Sequence, residues 1–288
     1  MELRTRRALR EMDDIIYDLI RQRRAHPSDR GDLLSMLLEA RDDEAQGMTD
    51  EQIRDELVTL FLAGHETTAN SLNWTFYLLA QHPEVEARLH EEIDTVLGGR
   101  APTLHDLRQL PYTEMVIKES MRMYPAVYAF GRQALEDIVI DGYTIPQGAS
   151  VNMFPFVTHR DPRWWGDDAE VFRPERFAND AERQLKKYAY LPFSTGPRVC
   201  IGSSFAMMEA NLMLATIAQR WSLRLQPGQV VTPDPLITLR PKGGLPMIQV
   251  VSLDPRAKPG SPAATSVGTA PNDGFFTQAA YRGAFDTN

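Results

Sequence analysis

Between residues 3 and 24 the apolar positions Leu9, Met12, Ile16, Leu19 and Ile20 recur at helical spacing, with arginines between them. That period predicts an amphipathic helix with one face toward a core. The cluster from Arg21 to Arg24 reads as its solvated face. Pro27, Ser28, Asp29 and Gly31 break the pattern, a short helix is predicted over 32–40, and 41–48 is a polar loop. Thr49 and Gln52 then form a capping-box pattern, and no strong breaker other than Gly64 follows until Pro83. This predicts a helix of about 33 residues, roughly 50 Å at 1.5 Å per residue. Its middle, Leu57 to Ala63, is apolar except at Thr59, so it is expected to run through the core.

Pro83 opens a further helix over 84–97, ended by Gly98-Gly99, and Pro111 starts the helix that contains Glu119-Ser120-Met121-Arg122. From Ile138 to Val151 apolar and polar residues alternate around Asp141-Gly142, a hairpin signal with a type I′ turn. Phe205, Met208 and Leu212 keep helical spacing from Ser203 onward. Trp221 to Leu225, Leu236 to Leu239 and Met247 to Val251 are short strand candidates. Beyond Leu253 the composition shifts to Pro, Ala, Gly, Ser and Thr, which predicts a mostly disordered tail over 254–288. There are no internal repeats. The pattern is that of a mainly α fold with a minor β-sheet component. Its organisation is expected to be an N-terminal amphipathic helix over 1–30, one domain over 31–253, and the tail.

A chain of 288 residues with 43% hydrophobic content can bury a sizeable core in one or two domains. The net charge of −8, with no long basic run, argues against a nucleic-acid partner. No stretch reaches the ~18 uninterrupted apolar residues of a membrane span, and the start, Met-Glu-Leu-Arg-Thr-Arg-Arg, has no apolar signal region. A chain without a membrane segment, in the cytoplasm, is expected. The single cysteine excludes an internal disulfide and fits a reducing compartment.

That cysteine, Cys200, lies in Phe193-Ser-Thr-Gly-Pro-Arg-Val-Cys-Ile-Gly202, where a loop containing Gly196 and Pro197 feeds the helix from Ser203. Free amide N–H groups and the positive end of the helix dipole favour a thiolate at such a place. The choices are a soft metal ligand, a nucleophile or a buried structural cysteine. In the long helix, Ala63-Gly64-His65-Glu66-Thr67-Thr68 sets a glycine, an acid and hydroxyls inside an apolar stretch. Glycine there costs about 1 kcal/mol relative to alanine. The motif is either functional or a kinked core helix whose threonines bond back to the preceding turn. A zinc-protease reading fails, because the second histidine would fall on Ala69. Glu119 and Arg122, three apart, share a helix face.

The spacing F-x-x-G-x-R-x-C-x-G resembles the haem-ligating signature of the cytochrome P450 family, with matches at Phe193, Gly196, Arg198, Cys200 and Gly202. Ala63-Gly64-x-Glu66-Thr67 resembles the family's oxygen-binding helix motif. Glu119-x-x-Arg122 followed by Phe172-Arg-Pro-Glu-Arg176-Phe resembles its structural ion network. The resemblance implies a cytochrome P450 fold, incomplete at its N-terminus because residues from about 10 to 252 correspond only to the C-terminal part of a member. It implies heme b with Cys200 as axial thiolate ligand, Phe193 over the cysteine loop, and Arg198 and Arg132 as propionate partners. Ala63 and Gly64 would line the distal pocket, and Glu66 and Thr67 would relay protons. Glu119, Arg122 and Arg176 would form the ion network. Phe61, Leu62, Val127, Tyr128, Phe130 and Leu239 would line the substrate pocket, and the segment from His159 would be structural.

The implied activity is a dioxygen-dependent monooxygenation that hydroxylates or epoxidises an apolar small molecule. Electrons would come ultimately from NAD(P)H through a separate redox partner, a ferredoxin, flavodoxin or flavoprotein reductase. Two alternatives remain at this point. One is a haem-thiolate peroxygenase or isomerase, against which the acid–alcohol pair argues. The other is a truncated, non-catalytic chain that needs its missing N-terminal half.

Overall fold

The computed structural model describes residues 2–252, so the tail expected over 254–288 lies outside the described residues. Contacts divide the chain between Glu66 and Thr67 into two compact units, whereas the sequence suggested a division near residue 30.

The first unit holds α1 (Glu2–Ala25), α2 (Leu33–Glu39) and the start of α3 (Asp50–Leu79). The apolar stripe of α1 does what its spacing predicts: Ile16 and Ile20 pack with Leu34 and Ile53. This shared core is why α1 does not stand as a segment of its own. The Arg21–Arg24 cluster is not simply a solvated face. Arg23, with its side chain only 10% exposed, forks onto Asp32 at 2.8 and 2.9 Å, while Asp32 also caps α2 by accepting the Ser35 N–H. Arg23 and that capping bond hold the Asp32 carboxyl well below the usual carboxylate range. Arg24 pairs with Asp50 at 2.7 Å. At the start of α3 the capping box is formed in both directions: Gln52 N–H donates to Thr49 Oγ1, and Thr49 N–H donates to Gln52 Oε1.

The second unit contains the rest of α3, then α4 (Pro83–Leu97), α5 (Pro111–Met123) and α8 (Ser203–Ala218), with the short helices α6 (Pro155–Thr158) and α7 (Pro162–Trp165) between. Leu89 and Ile93 of α4, Val116 and Ile117 of α5, and Leu214 and Ala215 of α8 form its core. Proline at the first turn starts α4, and Gly98 ends it at φ 55°, a left-handed cap that glycine adopts without steric cost. Helix α5 has no capping side chain of its own. Glu92 of α4 accepts the N–H groups of Tyr112 and Thr113 at 2.7 and 2.8 Å, which ties two core helices through an otherwise unsatisfied helix end.

Among the described residues the strands pair in four separate antiparallel ribbons. β2 (Ile138–Ile140) and β3 (Tyr143–Ile145) form the expected hairpin, with Asp141 and Gly142 at φ 48° and 83° as a type I′ turn requires. The hairpin stops short of Val151, because Pro146 lacks an N–H to continue the ladder. Val151 instead lies in β4 (Ser150–Met153), which pairs with β1 (Phe130–Gln133), Arg132 opposite Val151. β5 (Trp221–Leu225) pairs with β8 (Met247–Ser252). The strand expected over Leu236–Leu239 is displaced: β6 (Pro233–Pro235) and β7 (Leu239–Pro241) pair, and Leu236–Thr238 is the turn between them. Among the described residues no helix is long and apolar enough to cross a membrane.

Candidate functional site

The cysteine loop begins at Leu191 and ends where α8 begins. Its backbone is held by the Cys200 N–H donating to the Phe193 carbonyl at 2.9 Å, by a short 3-10 turn over Gly196–Arg198, and by the Ala206 N–H donating to Gly202 O at 2.8 Å. Ser194 and Gly196 sit at φ 62° and 68°. Glycine tolerates that region, whereas Ser194 is held there by its surroundings. Gly202 has an ordinary φ of −85°, so the turn after Cys200 does not require glycine's conformational freedom. The ring of Phe193 packs on the core formed by α4, α5 and α8, which anchors one side of the loop in the molecule.

Cys200 is a free, exposed cysteine. Val199, Ile201 and Phe205 beside it are exposed too. A thiol with apolar side chains around it, open to solvent at the start of a helix, is poorly explained as a packing residue. Against the same loop lies an open cleft of about 400 Å³, lined by Phe130, Gly131, Arg132, Gln133, Ser194 and Arg198. Arg132 reaches the loop through Ser194 Oγ at 3.3 Å. Arg198 makes no hydrogen bond or ion pair among the described residues. The cleft's lining residues include two guanidinium groups and no carboxylate, and a guanidinium fork suits planar bidentate acceptors. Sequence reasoning had singled out Arg132, Phe130 and Arg198; it had not marked Gln133 or Ser194 for the cleft. Ser194 lies inside the cysteine motif, but its left-handed backbone is invisible in a residue name.

The centre of the ion network on α5 is closed to solvent. Arg122 and Glu119 are fully buried, and the guanidinium meets both carboxylate oxygens at 2.7 and 2.8 Å. Arg122 also donates to the carbonyls of His159 and Ala169 at 2.7 Å and Val171 at 3.2 Å. Arg176 reaches Glu119 at 3.3 Å and Asp168 at 2.8 Å, while the Arg173 N–H donates to Glu119 at 2.9 Å. A pair that the sequence marks only as helix neighbours is thus a hub joining α5 to the two segments that follow the sheets.

The α3 motif is placed otherwise than expected. Helix α3 is α-helical from Asp50 to Leu79 without a break at Gly64. Its middle does not run through a core: Phe61 and Leu62 are 64% and 56% exposed, and Ala63, Gly64 and His65 are exposed with them. Among the described residues of its own unit, the apolar cluster takes in Ile53, Leu57 and Val58 of α3 and stops short of the motif. A methyl group added at Gly64 would meet nothing within 4 Å. Glu66 and Thr67 are half-buried, at the division between the two units, and the Thr67 carbonyl accepts the Ser71 hydroxyl at 2.9 Å.

The remaining substrate-wall candidates separate. Val127 is exposed, Phe130 lines the cleft, and the Tyr128 hydroxyl donates to Leu236 O at 2.9 Å. Leu239 does not fit that wall. It is 3% exposed; its N–H donates to Ala126 O at 2.8 Å and its carbonyl accepts the Trp74 indole N–H at 2.9 Å. Ile237, two residues earlier in the turn, is 92% exposed. Pairing of β7 with β6 buries one residue and leaves the turn tip outside.

A family model described as Cytochrome P450 matches residues 1–246. The chain is 42% identical over 234 residues to cyclooctatin synthase of Streptomyces melanosporofaciens, covering 81% of this chain and 51% of that protein. It is 40% identical over 237 residues to pentalenene oxygenase of Streptomyces avermitilis, covering 82% and 53%. Among solved structures, the cytochrome P450DA heme domain aligns with a TM-score of 0.76 at 35% identity, over 80% of this chain and 51% of that one. The chain spans about half the length of the curated relatives it matches. Match, helical fold and cysteine motif agree, and the chain belongs to the cytochrome P450 family.

Proposed function

We propose that this chain carries the haem-binding side of a cysteine-ligated monooxygenase that hydroxylates or epoxidises an apolar organic substrate. The observation that carries the reading is the exposed Cys200 at the start of α8, on a loop that also borders a cleft holding Arg132 and Arg198. The residues present fit heme b by their chemistry. A soft sulfur donor stands among exposed apolar side chains, and two guanidinium groups face a cleft without a protein carboxylate to satisfy them. Bound haem would supply dioxygen activation and the oxidising power for the substrate.

The chain's own groups have separate tasks. Cys200 presents its sulfur from a loop fixed by the Phe193 carbonyl, and Arg132 and Arg198 bind carboxylates by charge-assisted hydrogen bonds. Glu66 and Thr67, next to each other in sequence on α3, relay protons through the acid and the Oγ1 hydroxyl. Electrons come from a separate partner, a ferredoxin, flavodoxin or flavoprotein reductase drawing on NAD(P)H. An apolar substrate class is in keeping with relatives named for pentalenene and cyclooctat-9-en-7-ol oxygenation.

The test is the absorbance spectrum of the 288-residue chain supplied with haem, reduced and exposed to carbon monoxide. The reading expects a strongly red-shifted Soret band that Cys200→Ser abolishes. A band of the nitrogen-ligated type, or one that survives Cys200→Ser, overturns it. A second reading is favoured by the exposed middle of α3 together with the chain's spanning about half of its relatives' length: this polypeptide acts only when a complementary segment covers α3. Haem uptake without turnover, restored by adding the remaining half of a relative, supports that reading.

A further inference from the structure

We propose that His159 is a positioning residue for the cysteine loop: its Nε2 takes the Leu191 N–H and so fixes the entry of the turn whose Phe193 carbonyl holds the Cys200 amide. His159 is fully buried. Its ring accepts the Leu191 N–H at 2.7 Å, and its own carbonyl accepts Arg122 of the buried ion network at 2.7 Å. One residue thus joins the Glu119–Arg122 hub to the first residue of the loop. Nine residues on, the Cys200 N–H donates to Phe193 O at 2.9 Å.

The ring's protonation state is part of the device. Because Nε2 accepts a hydrogen bond, it carries no proton, and the neutral ring bears its hydrogen on Nδ1. Protonation at Nε2 would remove the acceptor and set its N–H against the Leu191 N–H, donor facing donor. Burial opposes that charge and pushes His159 down to about 3, with Arg122 and Arg160 adding repulsion. The backbone of Arg122 and Met121 beside the ring offsets part of this, and Nδ1 has no hydrogen-bond partner among the described residues. Trp165 and Tyr190 pack on it at centroid distances of 6.5 and 5.2 Å, and the Tyr190 hydroxyl is spent on the Lys118 carbonyl at 2.9 Å.

The loop needs such an anchor for two reasons. Pro192, directly after Leu191, has no N–H to donate. Ser194 stands at φ 62°, a conformation that a residue with a Cβ keeps only when neighbouring contacts over-determine it. Releasing Leu191 would let Ser194 relax and carry the Phe193 carbonyl away from the Cys200 amide.

The inference that this affects a metal-binding cysteine rests on the proposed haem function, but its test does not require haem. Residue-resolved amide exchange and the rate of Cys200 alkylation by iodoacetamide are measured on the full chain and on His159→Leu and His159→Gln. Losing one backbone hydrogen bond of ordinary strength speeds exchange by about tenfold. We expect that increase at the Leu191 and Cys200 amides in His159→Leu, with α5 and α8 still protected, and alkylation at least about threefold faster. Glutamine, whose Oε1 can take the place of Nε2, should restore both readouts to within about threefold of wild type. If His159→Leu does not fold, His159→Asn carries the same comparison, because its amide is too short to reach Leu191. Unchanged exchange at Leu191 and Cys200, or protection lost equally through α5 and α8 in a folded variant, overturns the positioning role. A wild-type chain that takes up no haem but shows this exchange pattern removes the proposed function and leaves His159 standing. A red-shifted carbon monoxide band with unmoved exchange does the reverse.

Discussion

The Glu119 hub and the Cys200 loop, both charged or polarisable sites in the same unit, are treated by the fold in opposite ways. At the hub nearly every donor and acceptor is used: Arg122 donates to one carboxylate and three carbonyls, and Glu119 collects Arg122, Arg176 and a backbone N–H. No solvent reaches either side chain. At the loop, Cys200 is exposed and Arg198 has no protein partner among the described residues. Saturated charges in a dry interior serve the fold, because removing any one strands the others. Charges left unsaturated at the rim of a cleft serve something that binds there. His159 touches both regions, with its carbonyl on the hub and its ring on the loop.

Substitutions should separate the two regions by size of effect. Glu119→Ala leaves Arg122 buried without its counter-ion, and urea unfolding should show a loss of about 3–5 kcal/mol; a loss below about 1 kcal/mol would remove the contrast drawn above. Acidification comes next. The folded chain keeps His159 neutral down to about 3, against an ordinary value of 6.5, so the unfolded chain binds the extra proton in between. Its contribution is fully present above pH 6.5 and should fall by roughly 1.4 kcal/mol per pH unit toward pH 3. In His159→Gln that part of the acid slope should be missing. Glu86, whose burial favours the neutral acid but which His90 and Arg224 hold down at about 2, loses its contribution only as pH falls from 4.5 toward 2, a lower window that overlaps that of His159 below pH 4.5. Arg176→Gln deprives the Trp165 and Asp168 carbonyls and the Asp168 carboxylate of a donor, and a loss of about 1–3 kcal/mol is expected. Smallest in stability are Cys200→Ser and Arg198→Gln, each within about 0.5 kcal/mol by thermal melting. They should nevertheless have the largest spectral consequences: Cys200→Ser removes the red-shifted carbon monoxide band and Arg198→Gln weakens haem retention. A large drop in melting temperature for either would mean that the loop is a structural element like the hub.

Much of this arrangement can be read from residue order alone, because it is local. The capping box at Thr49 and Gln52, proline and glycine at the two ends of α4, the Asp141-Gly142 turn, and the cysteine set just before α8 all follow from backbone rules acting over a few residues. What decides burial acts over tens or hundreds of residues and leaves no mark in a short window. Arg23 looked solvated until Asp32 reached it across the α1–α2 turn. Leu239 became core through bonds to Trp74 and Ala126, each more than a hundred residues away. The apolar centre of α3 has the composition of a core segment and is exposed instead, since a helix face is buried only when another element lies against it. Glu119, Arg122 and His159 are the sharpest case. In the sequence they are two helix neighbours and a distant histidine, and only tertiary packing excludes water around them. Exclusion of water turns an ordinary ion pair into a hub that cannot lose a member, and a titratable ring into a fixed acceptor.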